Sequence, residues 1–263
     1  MKPEFLNEVP EEPILVTRFQ EIRQIPERSP NIEDFQSIFE DEQYRVHCFQ
    51  EALNAFKYVY NKEKLDNYIQ AEPSKEGAKY LKQVRRYGLI LKATYNFFDS
   101  EHQCPENLNS FLKNLGRYND NYWLPESHRN DVQLAELSSL DMELNLAPTE
   151  EFKEHVKTTL SHIEWSFDQP VLSVENFHKL RKKIRLCANF MQVTAAEYYQ
   201  QDLHWLFASL HEISDRLGKE HDELVQKGLM KEIDYHISEM EIEPADKEDF
   251  ARLKPYIQKV VGI

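Results

Sequence analysis

Two fifteen-residue windows, Ala78 to Lys92 (AKYLKQVRRYGLILK) and Phe177 to Met191 (FHKLRKKIRLCANFM), each carry five Lys or Arg and no Asp or Glu. Their apolar residues recur at three- and four-residue steps, and a helix is the conformation that sorts the two kinds of side chain onto separate faces. In the second window His178, Arg181, Lys182 and Arg185 fall at i, i+3, i+4 and i+7, one continuous helical face. Lys82, Arg85, Arg86 and Lys92 supply the cations of the first. A face this dense in positive charge repels itself unless something anionic lies on it. The rest of the chain has the opposite sign. Ten of the 32 basic residues sit in the windows, and the other 22 face all 46 acids.

Some thirty to thirty-six residues after Arg85 and Arg181 come Leu115-Gly116-Arg117-Tyr118-Asn119-Asp120 and Leu217-Gly218-Lys219-Glu220-His221-Asp222. With only six glycines in the chain, two in the same Leu-Gly-x-x-(Asn/His)-Asp frame are a paired signal. Glycine after an apolar helical run predicts a helix C-terminus, where the left-handed conformation costs it little. The order basic helix, loop, helix, Leu-Gly-x-x-x-Asp therefore occurs twice, about a hundred residues apart, which reads as an internal duplication.

The pattern His178-x-x-Arg181 with basic residues to Arg185, followed by a helix closing in Leu217-Gly218-x-x-His221-Asp222, resembles the CHAD family, the conserved histidine α-helical domain. The resemblance covers roughly residues 42 to 261. It implies an all-α helical bundle of two pseudo-symmetric halves whose basic faces line a central cavity that binds inorganic polyphosphate. On that basis Lys82, Arg85, Arg86, Lys92, His178, Arg181, Lys182, Arg185 and His221 are the expected polyphosphate-binding residues. The resemblance gives Asp120 and Asp222 structural work, capping the helix that follows or pairing with Arg85 and Arg181. Relative to the family pattern, Ala188 replaces a basic residue, Lys82 stands where a His would be, Leu89 replaces a cation and Asn119 an Arg. The expected site is thinned.

Phosphate needs positive charge and several N–H donors, and Arg offers a rigid bidentate fork that Lys lacks. A polyphosphate repeats its anionic unit, so repeated cations on facing helices are its physical complement. A nucleotide or inositol phosphate shares that chemistry. The bland alternative is a pair of solvated charged faces. For His178 the choice is between a phosphate contact, with protonation favoured by the anion, and a plain helix-surface histidine.

A formal charge of −14 and a pI near 5.2 argue against a general nucleic-acid binder. Cys48, Cys104 and Cys187 form no CxxC and leave an odd thiol in any disulfide scheme, which suits the cytoplasm. No apolar run reaches the length of a membrane span and no leader pattern opens the chain.

Residues 1–41 read as an acidic, proline-containing extension draped on the helical body, with Ile14-Leu15-Val16, and Phe19 with Ile22, packing as a strand or one helical turn; a disordered tail is the alternative reading. Residues 42–263 form the helical domain, its first half 42–147 and its second 148–263. Val46, Phe49, Leu53, Phe56 and Tyr60 predict a helix over 42–61, widened by Tyr58 and Val59. A short helix over 64–70 leads to Ser74 as N-cap of the first basic helix, about 75–98, with Gly88 marking close packing. Helices are expected over 108–115, ending at Gly116, then 119–124 and 131–144. In the second half Thr149 opens a helix to Phe167 with the stripe Phe152, Val156, Leu160, Ile163, Phe167. Ser173 or Glu175 opens the second basic helix, which runs to about Gln192. Helices over 197–217, 222–238 and 247–261 complete the chain. No strand alternation is expected beyond the first forty residues.

Two other functions fit parts of the chain. A protein-interaction scaffold would use the acidic exterior and the proline-containing arm, with a degenerate anion site. An HD-type metal-dependent phosphohydrolase would use His221-Asp222 with His204, His211 and Asp215, but His204 and His211 are seven residues apart, about 10 Å along a helix axis. His211-Glu212-Ile213-Ser214-Asp215 departs from HExxH at its fifth residue, and no P-loop, GxGxxG or GxSxG is present. The expectation is non-catalytic binding, with no cofactor and no metal.

Overall fold

The computed structural model describes residues 13–17, 30–124, 137, 142–197, 201–230, 234 and 238–263. Helix α1 (Ile14–Thr17) and a 3-10 turn (Ile32–Asp34) precede α2 (Glu42–Val59), α3 (Lys62–Gln70), α4 (Lys75–Phe98) and α5 (Glu106–Asn121). Then come α6 (Thr149–Asp168), β1 (Leu172–Ser173), α7 (Val174–Glu197), α8 (Gln201–Leu229), β2 (Glu239–Met240) and α9 (Pro244–Val261). The class is all-α, as expected. The described residues add one feature the sequence reading lacked, an antiparallel two-stranded ribbon in which Leu172 pairs with Met240 and Ser173 with Glu239.

Polar caps set where several helices begin. Asp41 accepts the Gln43 amide at 2.8 Å to start α2, Asn61 accepts the Lys64 amide at 2.8 Å to start α3, and Ser74 accepts the Gly77 amide at 3.0 Å to start α4. Each such cap contributes about 1 kcal/mol by satisfying an amide that has no partner inside the helix. Thr149 does not cap α6. Pro148 holds that position, and the Thr149 hydroxyl instead accepts a bond from Arg45 at 3.0 Å.

The stripes on α4 (Tyr80, Leu81, Val84, Leu91, Tyr95, Phe98) and α6 (Phe152, Val156, Leu160, Ile163, Phe167) are buried throughout, as are Leu203, Leu206, Leu210, Ile213 and Leu217 on α8. The stripe on α2 is rotated from the expected one. Val46 and Tyr58 face solvent, while Cys48, Ala52 and Ala55 join Phe49, Leu53 and Phe56 in the core. Small residues there let α2 approach α4 closely.

The two basic helices, α4 and α7, pack against each other in the middle of the bundle. Around them α2 and α5 lean on α4, α6 and α8 lean on α7, and α9 closes against α6 and α8. An aromatic group joins the parts: Phe39 lies 4.8 Å from Phe190, 5.7 Å from Phe98 and 5.8 Å from Phe152, ring centroid to centroid. Burying each of these rings contributes about 1.5–3 kcal/mol. Phe35, Phe39 and Leu15 are all core residues, so 30–41 is built into the body rather than laid over it. Ile14–Thr17 is the helical turn that the sequence left as one of two choices. Phe19 and Ile22 lie outside the described residues, as do most of the expected helices over 131–144 and beyond 230; the described stretch 142–145 is not helical.

The junction between α5 and α6 is tied down by the backbone. Ala147 donates to the Phe98 carbonyl and Ser100 to that of Asn145, both at 2.8 Å. The fully buried Arg45 donates to the Ala147 carbonyl at 3.0 Å and lies 5.0 Å over the Phe152 ring.

Candidate functional site

Gly116 and Gly218 are interior helix residues. α5 runs through Gly116 to Asn121 and α8 runs through Gly218 to Leu229, so the expected helix ends at Leu115 and Leu217, and the separate helices after them, are replaced by two continuous ones. Their glycines have another purpose. A Cβ on Gly116 would lie 2.8 Å from Arg85 Nη2 and 3.1 Å from its Cζ. A Cβ on Gly218 would lie 3.8 Å from Arg181 Nε and 4.0 Å from Arg185 Nη2. In both regions the missing side chain opens a bare strip of helix over which a guanidinium from the neighbouring basic helix lies. A mid-helix glycine costs about 1 kcal/mol in propensity, and the close approach is what it gives in return. Gly88 acts likewise against Leu112, letting α4 and α5 meet.

Because α4 and α7 touch, the two strips bring their cations together. Burial, and then the charges of Arg181 and Arg85, push the Arg185 pKa down to about 10. Lys182 is lowered by withdrawal of its ammonium from water and by Lys92, Arg181 and Lys113. In both cases burial is the first cause, and neighbouring like charges add to it. The carboxylates felt at Arg185 are Asp215 and Asp222, whose side chains stay 61% and 77% exposed. Lys92 spends one donor on Asn109 Oδ1 at 2.6 Å. Arg85 Nε is buried with no hydrogen-bond partner among the described residues.

Two histidines border this group. The rings of His178 on α7 and His221 on α8 stand 5.1 Å apart, tilted by 33°. Burial, Lys182, His221 and the arginines hold His178 at a pKa of about 4, and burial with Arg181 lowers His221. The His178 Nδ1 is buried and has no hydrogen-bond partner among the described residues.

Of the residues singled out in the sequence, Arg85, Lys92, His178, Arg181, Lys182, Arg185 and His221 come together. Lys82 is exposed and Arg86 is half-buried a helical step away from Arg85; neither is among the charges that dominate at His178, Lys182 or Arg185. Asp120 and Asp222 cap no following helix. Asp120 is exposed on the last turn of α5 and forms no ion pair with Arg85, and Asp222 sits inside α8 beside His221, 3.4 Å from its Nδ1. Lys113 is the member that the sequence reading missed. It precedes Gly116 by three positions and Asp120 by seven, on one face of α5, but lies outside the acid-free windows.

The donors of the metal-site alternative are dispersed. His204 bonds to the Ala195 carbonyl at 3.0 Å and His211 pairs with Asp215 at 3.1 Å, and the described residues hold no group of three or more His, Cys, Asp or Glu able to share an ion. No described helix is long and apolar enough to cross a membrane. Compared with family models, curated proteins and solved structures, the chain finds no match in any of the three.

Proposed function

We propose that this protein binds inorganic polyphosphate, or a similar phosphate-rich polyanion, without catalysis, at the cationic group between α4, α5, α7 and α8, and that it is a CHAD-like domain of two related halves. The supporting observation is the convergence of cations from three helices: the charges of Lys92, Lys113 and Arg181 add to burial in lowering Lys182, those of Arg181 and Arg85 do so at Arg185, and Arg85 and Arg181 lie against Gly116 and Gly218. Self-repulsion of this kind costs stability in the free protein, and an anion shared by several of the groups relieves it. The matched placement of Arg85 over Gly116 and of Arg181 over Gly218 supports the relation between halves. Cys48, Cys104 and Cys187 form no disulfide among the described residues, which suits the cytoplasm.

The test is a calorimetric titration of the purified protein with long-chain polyphosphate at low and at high salt. Tight binding that weakens steeply as salt rises is expected, because each phosphate contact releases counterions. Absence of binding at low salt overturns the proposal and directs attention to a protein partner for the acidic exterior.

A further inference from the structure

The histidine pair borders the arginines of the proposed site. His178 occupies the face of α7 that carries Arg181, Lys182 and Arg185, and His221 comes from α8 with its ring 5.1 Å away. The groups that bear on them are, from α7, those three cations; from α8, Asp222 at 3.4 Å from His221. Arg85 on α4 bears on Arg185, and Lys92 and Lys113 bear on Lys182. The nearby carboxylate is mostly in water, so cations dominate. The His178 imidazole, held near 4, is neutral in the free protein, and its buried Nδ1 has no hydrogen-bond partner among the described residues.

We propose that polyanion binding at this site is coupled to proton uptake by the His178–His221 pair, making the protein a binder whose affinity rises on mild acidification. This rests on the proposed polyanion function. A bound phosphate oxygen adds negative charge beside His178, which has none at hand, and beside His221, which has only Asp222. It favours the imidazolium, which then donates a charge-assisted hydrogen bond to the phosphate. The proton comes from solvent and returns to it on release. The sign is fixed by linkage: a group whose pKa is higher in the complex than in the free protein strengthens binding as pH falls through the complex value, and the gain levels off below the free value. His178 held near 4 when free leaves the whole mildly acidic range for this effect. Two histidines set the ceiling at about two protons per complex, each worth up to roughly tenfold in affinity per pH unit.

The experiment measures affinity for long-chain polyphosphate from about pH 7.5 to about pH 5.5, with calorimetry in buffers of differing ionisation enthalpy to count the protons. Long chains are the right probe because their internal phosphates are strong acids of constant charge over this range. We expect affinity to rise roughly tenfold or more across the range with net proton uptake, and His178→Gln together with His221→Gln to abolish both the slope and the uptake. Single Gln variants, checked by circular dichroism, guard against a folding defect in the pair and should each lose part of the slope. Affinity that is flat with pH overturns the coupling while leaving polyanion binding intact. A slope that persists in folded Gln variants overturns the assignment to this pair. No binding at any pH removes the coupling together with the function on which it rests.

Discussion

At Gly116 the Arg85 guanidinium lies so close that an added Cβ would fall 2.8 Å from Nη2, whereas at Gly218 the nearest guanidinium atoms, those of Arg181, stand 3.8 and 3.9 Å away. The position three residues after each glycine differs in the same sense. Asn119 turns its amide back to the Leu81 carbonyl at 3.5 Å, while His221 lies beside His178, ring centroids 5.1 Å apart. The first region thus uses its cation and its polar side chain to fasten α5 to α4. The second holds Arg181 and Arg185 at ordinary contact distance from the Gly218 strip of α8, with His178 beside His221. The same hexapeptide frame packs tightly in one place and at ordinary contact distance in the other.

That contrast gives predictions of unequal size. The largest concerns binding: Arg185→Ala should weaken long-chain polyphosphate binding by roughly 10–100-fold, the loss expected for a charge-assisted hydrogen bond of about 1.5–3 kcal/mol, and Arg85→Ala by less, about tenfold. A titration of both variants checks the order; a larger loss at Arg85 would reverse the roles of the two regions.

Next in size is the glycine pair. Gly116→Ala should displace Arg85 and weaken binding about three- to tenfold, because the clash falls on the far end of a side chain that can swing away. Gly218→Ala has ordinary contact distances and should raise stability by about 0.5–1 kcal/mol through helix propensity, read as an upward shift in a thermal melt. Equal behaviour of the two variants would erase the distinction.

The smallest effect is on stability against pH. His155, stacked on His102 at 3.7 Å, is held at a pKa of about 4 by burial and by the charges of His102 and Lys183, as His178 is by burial and its own cations. Both are depressed below the unfolded value of about 6.5. Their contribution is therefore fully present above about pH 6.5 and is lost as pH falls toward about 4. Denaturation midpoints should drop over that window, and saturating polyphosphate should recover the part due to His178 but not the part due to His155, which lies outside the cation group.

Much of the helical layout could be read in advance because it depends on local signals. Ser74 and the apolar stripe placed α4 at 75–98, and the stripe from Phe152 to Phe167 placed α6, each as observed. The two frame glycines misled for a physical reason. A glycine that ends a helix and one that admits a neighbour's side chain present the same local sequence, and only the packing partner distinguishes them. Within the site, Arg181, Arg185 and His178 were legible from their shared face. Lys113 was not, because it joins the group through the tertiary contact of α5 with α4, and Lys82 fell away since its side chain stays in water. Phe39, in a segment broken by prolines, showed no periodicity that would mark it as core.

The most direct measurement is a double-mutant cycle on Arg85→Ala and Arg185→Ala, with the affinity for long-chain polyphosphate as readout. If cations of both regions hold one anion, the two losses are coupled and depart from additivity by about 0.5 kcal/mol or more. Losses that add to within about 0.3 kcal/mol, or the absence of binding before any mutation, would contradict a shared site.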